Sequence, residues 1–134
     1  MNSLLGNIVS IEVSGSLSLV AVQVGPKTVI KSVVVETPST APHLQIGGDI
    51  KVLFKETEVI IGVGKQSNIS LQNQVAGTVK HIDKGAILGK IVLETSVGEI
   101  TSIISAKAIE ELGLAKNIPA VALIKLNEVM LAKT

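Results

Sequence analysis

The sequence predicts an all-β protein made of two copies of one small unit, with one short helix per repeat. Three observations carry this. A phrase recurs: Lys55-Glu56-Thr57-Glu58-Val59-Ile60 returns seventy positions later as Lys125-Leu126-Asn127-Glu128-Val129-Met130. Each copy follows an apolar strand-like run, residues 50–54 or 120–124, and each unit opens on a Gly-x-(Ile/Val) strand, Gly6-Asn7-Ile8-Val9 or Gly77-Thr78-Val79-Lys80. Between these landmarks the chain alternates β-branched residues with glycine-containing turns. A repeat of this kind decides the fold before any single element does. The units are residues 1–64 and 68–134, joined by the short polar connector Gly64-Lys65-Gln66-Ser67-Asn68.

The second unit shows the order of elements most clearly. Residues 74–82 form a strand anchored by Val75, Val79 and Ile82, and Asp83-Lys84-Gly85 turns the chain. Strands over 87–94 and 99–104 follow, separated by Ser96-Val97-Gly98. The periodicity then changes. Ser105-Ala106-Lys107-Ala108-Ile109-Glu110-Glu111-Leu112-Gly113 has an N-cap serine, apolar Ile109 and Leu112 at i,i+3, and a terminating glycine, the signature of a two-turn helix. Strands over 118–126 and 129–132 close the unit. The first unit repeats the order with strands at 6–13, 17–24, 28–35, 50–54 and 59–63. Its helix slot, Thr37-Pro38-Ser39-Thr40-Ala41-Pro42-His43, holds two prolines that restrict any helix to a turn or less. Five strands with a helix before the last two describe a small closed barrel, so the chain reads as tandem OB-fold-like β-barrels.

Composition narrows the function. Each unit is below the size, roughly 70–80 residues, at which one core is self-sufficient. There is no cysteine, so neither disulfides nor thiolate-bound zinc can compensate. With 46% hydrophobic residues in so short a chain, the surplus apolar surface is expected to enter subunit interfaces. No apolar run reaches the roughly 18–20 residues of a bilayer span, and no basic stretch precedes an apolar core at the N-terminus. The expectation is a cytoplasmic oligomer without a membrane partner. Net charge is +1 with the signs interspersed, and Phe54 is the single aromatic residue. A polyanion surface or a base-stacking platform needs more of both, which excludes nucleic acid. Gly62-Val63-Gly64-Lys65 lacks the spacing of a phosphate loop. His43 and His81 have no metal-ligand spacing, and no nucleophile–base or paired-carboxylate set stands out, so an enzyme is not expected.

The second unit resembles the molbindin (Mop) family, molybdate-binding modules also grouped as TOBE domains. The resemblance rests on Ser70-Leu71-Gln72-Asn73-Gln74, Gly77-Thr78-Val79, Lys84-Gly85-Ala86, Ile109-Glu110-Glu111-Leu112-Gly113-Leu114, and Ala122-Leu123-Ile124-Lys125 through Glu128-Val129-Met130-Leu131. The first unit matches in outline and lacks the opening Ser-x-x-Asn-Gln. The resemblance implies a two-repeat chain that binds molybdate or tungstate between subunits and assembles as a homotrimer. It assigns the oxyanion to Ser70, Gln72, Ser105 and Lys125, with Lys55 as the counterpart in the first unit. Gln72 stands where the family often has arginine, and Ala108 where it has a second hydroxyl. Molybdate is a dianion whose oxygens only accept hydrogen bonds, so amide, hydroxyl and ammonium donors are the chemistry it needs, without a metal ligand set. Storage, homeostasis and sensing of the oxyanion all fit. The alternative is a ligand-free oligomerisation or regulatory TOBE module working with a separate transporter or regulator.

Overall fold

All ten strands expected from the alternation are present. The computed structural model describes residues 1–134. The strands are β1 (Asn2–Ser14), β2 (Leu17–Gly25), β3 (Thr28–Val34), β4 (Asp49–Phe54), β5 (Ile60–Gly62), β6 (Asn73–Lys84), β7 (Leu88–Thr95), β8 (Gly98–Ser105), β9 (Pro119–Ile124) and β10 (Met130–Ala132). A single α-helix, α1 (Ala106–Glu111), lies in the second half. Short 3-10 turns at Glu56–Glu58 and Leu126–Glu128 follow the two lysines of the repeated phrase.

The sheets depart from the sequence reading at one point. Local alternation makes each closing strand the last piece of its own unit, but the pairing exchanges them. One sheet has the order β10-β4-β1-β2-β3 and the other β5-β9-β6-β7-β8. Leu131 of β10 lies opposite Val52 of β4, and Ile61 of β5 lies opposite Ala122 of β9. Two buried serines anchor the crossing. The Ser32 hydroxyl donates to the Val129 carbonyl at 2.6 Å, and the Ser102 hydroxyl to the Val59 carbonyl at 2.7 Å. Such bonds matter because a buried carbonyl without a partner costs about 1–3 kcal/mol. The core is accordingly one cluster of 23 buried residues drawn from both halves, from Leu4 and Phe54 to Ile109 and Ile124.

Equivalent details repeat across the halves. The first strand of each half carries a register shift, at Ile8/Ser10 and at Val79/His81. Just before it, the opening glycine allows two strands to cross closely. A Cβ on Gly6 would sit 2.5 Å from the Gln23 carbonyl oxygen, and one on Gly77 would sit 2.6 Å from that of Glu94.

The expected helix forms in the second half alone. Ser105 caps it, accepting from the Ala108 N–H at 3.0 Å, and Ala106 and Ile109 face the core. Leu112, expected on the apolar face, is 37% exposed, and Leu114 beyond the helix end is buried instead. In the first half Pro38 and Pro42 break the ladder. The Thr40 and Ala41 N–H groups both donate to the Thr37 carbonyl, and Ala41 and Leu44 fill the space beneath the turn.

Candidate functional site

Lys125 directly follows β9 with φ −68° and ψ 144°, and Lys55 directly follows β4 with φ −72° and ψ 146°. The extended geometry turns each side chain out as the 3-10 turn begins, and both lysines are exposed. In the antiparallel β6–β9 ladder Asn73 is opposite Ile124, so Gln72 and Lys125 follow as neighbours just beyond the last pair. Ser70, two residues before Gln72, is exposed in the segment leading into β6.

The residue that holds this corner in place is Asn73, which is 1% exposed. Its carboxamide reaches across to β3 of the first half. Oδ1 accepts from the Lys31 N–H and Nδ2 donates to the Lys31 carbonyl, both at 2.8 Å. One side chain thus satisfies a donor and an acceptor on the free edge of β3, as a neighbouring strand would. Asn2 repeats the arrangement at the other corner. It accepts from the Thr101 N–H and donates to the Thr101 carbonyl on β8, again at 2.8 Å. These asparagines and the serines Ser32 and Ser102 have structural roles that the sequence reading did not assign. The available signal was a polar residue recurring at the repeat spacing inside an otherwise apolar strand.

Ser105 lies elsewhere. It ends β8, the strand that packs against the Glu56–Glu58 turn after Lys55, whereas the Leu126–Glu128 turn after Lys125 packs against β3. Within one chain the register therefore places Gln72 and Lys125 at the same end of the β6–β9 ladder, while Ser105 ends a strand that packs on the opposite turn. The Ser105 oxygen is the acceptor in its capping bond, so its own O–H is free to donate to a ligand. None of the three surface clefts is lined by Ser70, Gln72, Ser105, Lys125 or Lys55. The largest, about 400 Å³, runs along Gly64–Gln66, Gln74 and Val121.

The two lysine corners differ in charge. Neither Lys55 nor Lys125 forms an ion pair. Directly after Lys55, however, Glu56 takes a hydrogen bond from the Met1 ammonium, which holds its carboxyl below the ordinary value; the Lys90 charge acts in the same direction. An ion pair between Glu56 and the Met1 ammonium therefore stands beside Lys55. The equivalent position beside Lys125 is Leu126. The other surface carboxylates that form ion pairs are engaged with Lys80, Lys84 and Lys107. No group of three or more histidine, cysteine, aspartate or glutamate side chains is arranged to hold a metal ion.

Two strand-exchanged OB-fold-like barrels in tandem define the class of fold. The TOBE domain model matches residues 69–131. Molybdenum-pterin-binding protein 1 of Clostridium pasteurianum is 43% identical over 65 residues, which are 48% of this chain and 96% of that protein. The molybdenum transport protein ModE of Azotobacter vinelandii is 25% identical over 132 residues, 98% of this chain and 49% of ModE. Among solved structures, the cytoplasmic molybdate-binding protein ModG with molybdate bound superposes with a TM-score of 0.92 at 27% identity, covering 99% of this chain and 96% of that one. The chain belongs to the molbindin family of TOBE-domain proteins, in a tandem form.

Proposed function

We propose that this protein binds molybdate or tungstate as the free oxyanion in the cytoplasm and serves in its storage, homeostasis or sensing. It acts by binding, without catalysis, and its repeating units are residues 1–64 and 68–134, each lending its last strand to the other. The observation that carries the reading is the corner where Gln72 and an unpaired Lys125 are held together by the β6–β9 register and the Asn73 clamp. Amide and ammonium groups donate to an acceptor-only dianion, and no carboxylate is paired with the lysine to cancel its charge. Ser70 adds a hydroxyl before this corner.

Enclosure of the ion is the next requirement. Gln72, Lys125, Ser105 and Ser70 are all exposed on the single chain, so a dianion bound there would stay half in water. A second chain that brings its Ser105 end to the Lys125 corner would complete the donor set and displace that water. The exposed apolar residues Val35, Ile46, Ile87 and Leu88, between 57% and 79% accessible, supply surface for such contacts. We assign the assembly as a homotrimer with six barrel units. Light scattering at micromolar concentration is expected to give three times the chain mass, and a monomer mass would rule out any site built between chains.

The functional test is isothermal titration of the purified protein with molybdate, tungstate and sulfate. Binding is expected for the first two and not for sulfate, which has the same charge and shape but is smaller than the cavity the larger ions require. No heat and no thermal shift with any of the three would overturn the reading. A stable protein partner recovered from such a non-binding chain would place it instead among ligand-free regulatory modules.

A further inference from the structure

We infer that Lys31, contributed by the first half, is a second cationic donor at the Lys125 corner, so that this corner is a composite site spanning the two halves. The inference deepens the oxyanion reading and rests on it.

Asn73 places Lys31. Both hydrogen bonds of its buried carboxamide end on the Lys31 backbone, at 2.8 Å each, and Gln72 is the next residue along the chain from Asn73. The following residue on β3, Ser32, is fully buried and fastened to the Val129 carbonyl just beyond the Leu126–Glu128 turn. Since successive side chains of a strand point to opposite faces, an inward Ser32 sends Lys31 outward, and it is exposed. β3 packs along the turn that Lys125 opens, and the Asn73 clamp fixes the Lys31 backbone beside Gln72. Lys31 forms no ion pair, and neither does Glu128, the acid of that turn.

A lysine on an edge strand often has another purpose, which is to discourage pairing with a foreign strand. That purpose is already served at this position, because Asn73 occupies the outward N–H and C=O of Lys31. The pseudo-symmetric corner shows the same clamp working without a lysine: Asn2 holds Thr101 in the identical way. Lys31 and Lys125 thus stand unpaired at one corner, with Glu128 as the acid of the turn, whereas at the other Lys55 adjoins the Glu56–Met1 ion pair. A dianion is best matched by two monocations, and the Lys31–Lys125 corner offers two that no carboxylate engages.

The test is titration of wild type, Lys31→Thr and Lys31→Arg with sodium molybdate at two salt concentrations, with melting curves alongside. Threonine is the residue the counterpart strand already tolerates, so folding is retained. The expected result is about ten-fold weaker binding in Lys31→Thr, the scale of one lost charge-assisted hydrogen bond, with a shallower salt dependence and recovery in Lys31→Arg. Wild-type binding matched by Lys31→Thr overturns the inference and leaves the oxyanion reading standing. Failure of wild type to bind molybdate overturns both. Weakening in Lys31→Thr that follows a lowered melting temperature and is not rescued by Lys31→Arg assigns Lys31 a structural role and also overturns it.

Discussion

Replacing Phe54 by alanine is expected to destabilise the whole chain by about 3–5 kcal/mol, the usual cost of deleting a buried aromatic ring. Phe54 is the sole aromatic residue, is fully buried, and ranks among the largest fully buried side chains. It sits at the end of β4 opposite Asn2, whose carboxamide clamps β8 of the other half. The cavity would therefore open where the halves meet. Because β5 and β10 are exchanged and the core is one cluster, the halves have no separate cores to lose. Thermal unfolding should remain a single transition, shifted down by on the order of 10–20 °C for a chain of this size. Two resolved transitions, with the second half melting at its wild-type temperature, would contradict the account of a shared core. Calorimetry in the absence of ligand keeps binding from masking the shift.

The fold was largely legible because its rules are local. Period-two alternation marked each strand, Ser105 and Gly113 bracketed the helix, and Pro38 and Pro42 removed its counterpart. The repeat at Lys55 and Lys125 then made two barrels out of ten strands. The partner of β5 and β10 was not legible. Ile60-Ile61-Gly62 specifies a strand by its residues but carries no information on which sheet edge will accept it. That choice is made by the direction in which the 3-10 turn leaves Lys55 and by the Ser102–Val59 hydrogen bond, a contact between residues 43 positions apart. Asn73 was read as part of an opening motif, yet its work is to satisfy the backbone of Lys31, 42 positions away. Nothing in the sequence sets Lys31 apart from other strand lysines; its place comes from that bond. Of the residues proposed for the site, register alone unites Gln72 with Lys125. Ser105 belongs to a corner that only a second chain can bring to them.

Replacing Lys125 by alanine should weaken molybdate binding about ten- to hundred-fold at its sites, while Lys55→Ala should have a smaller effect. A hydrogen bond to a charged group contributes roughly 1.5–3 kcal/mol, and each ~1.4 kcal/mol is a factor of ten in affinity. The asymmetry follows from the residues around the two lysines, because their own backbone geometry is the same to within a few degrees. Lys125 is followed by Leu126 and neighboured by Gln72, an amide donor. Lys55 is followed by Glu56, which engages the Met1 ammonium in an ion pair, so neither of those charges is free and the corner lacks the Gln72 amide. Both lysines are exposed and unpaired, so neither substitution should move the melting temperature of the unliganded protein by more than surface changes usually do, about 0.5 kcal/mol. Titrations of the two variants beside wild type, with melting curves as the control for folding, decide the matter. Equal losses in both would show that the halves offer equivalent sites despite Glu56 and the missing amide. An unchanged affinity in Lys125→Ala would remove the residue around which the site is drawn.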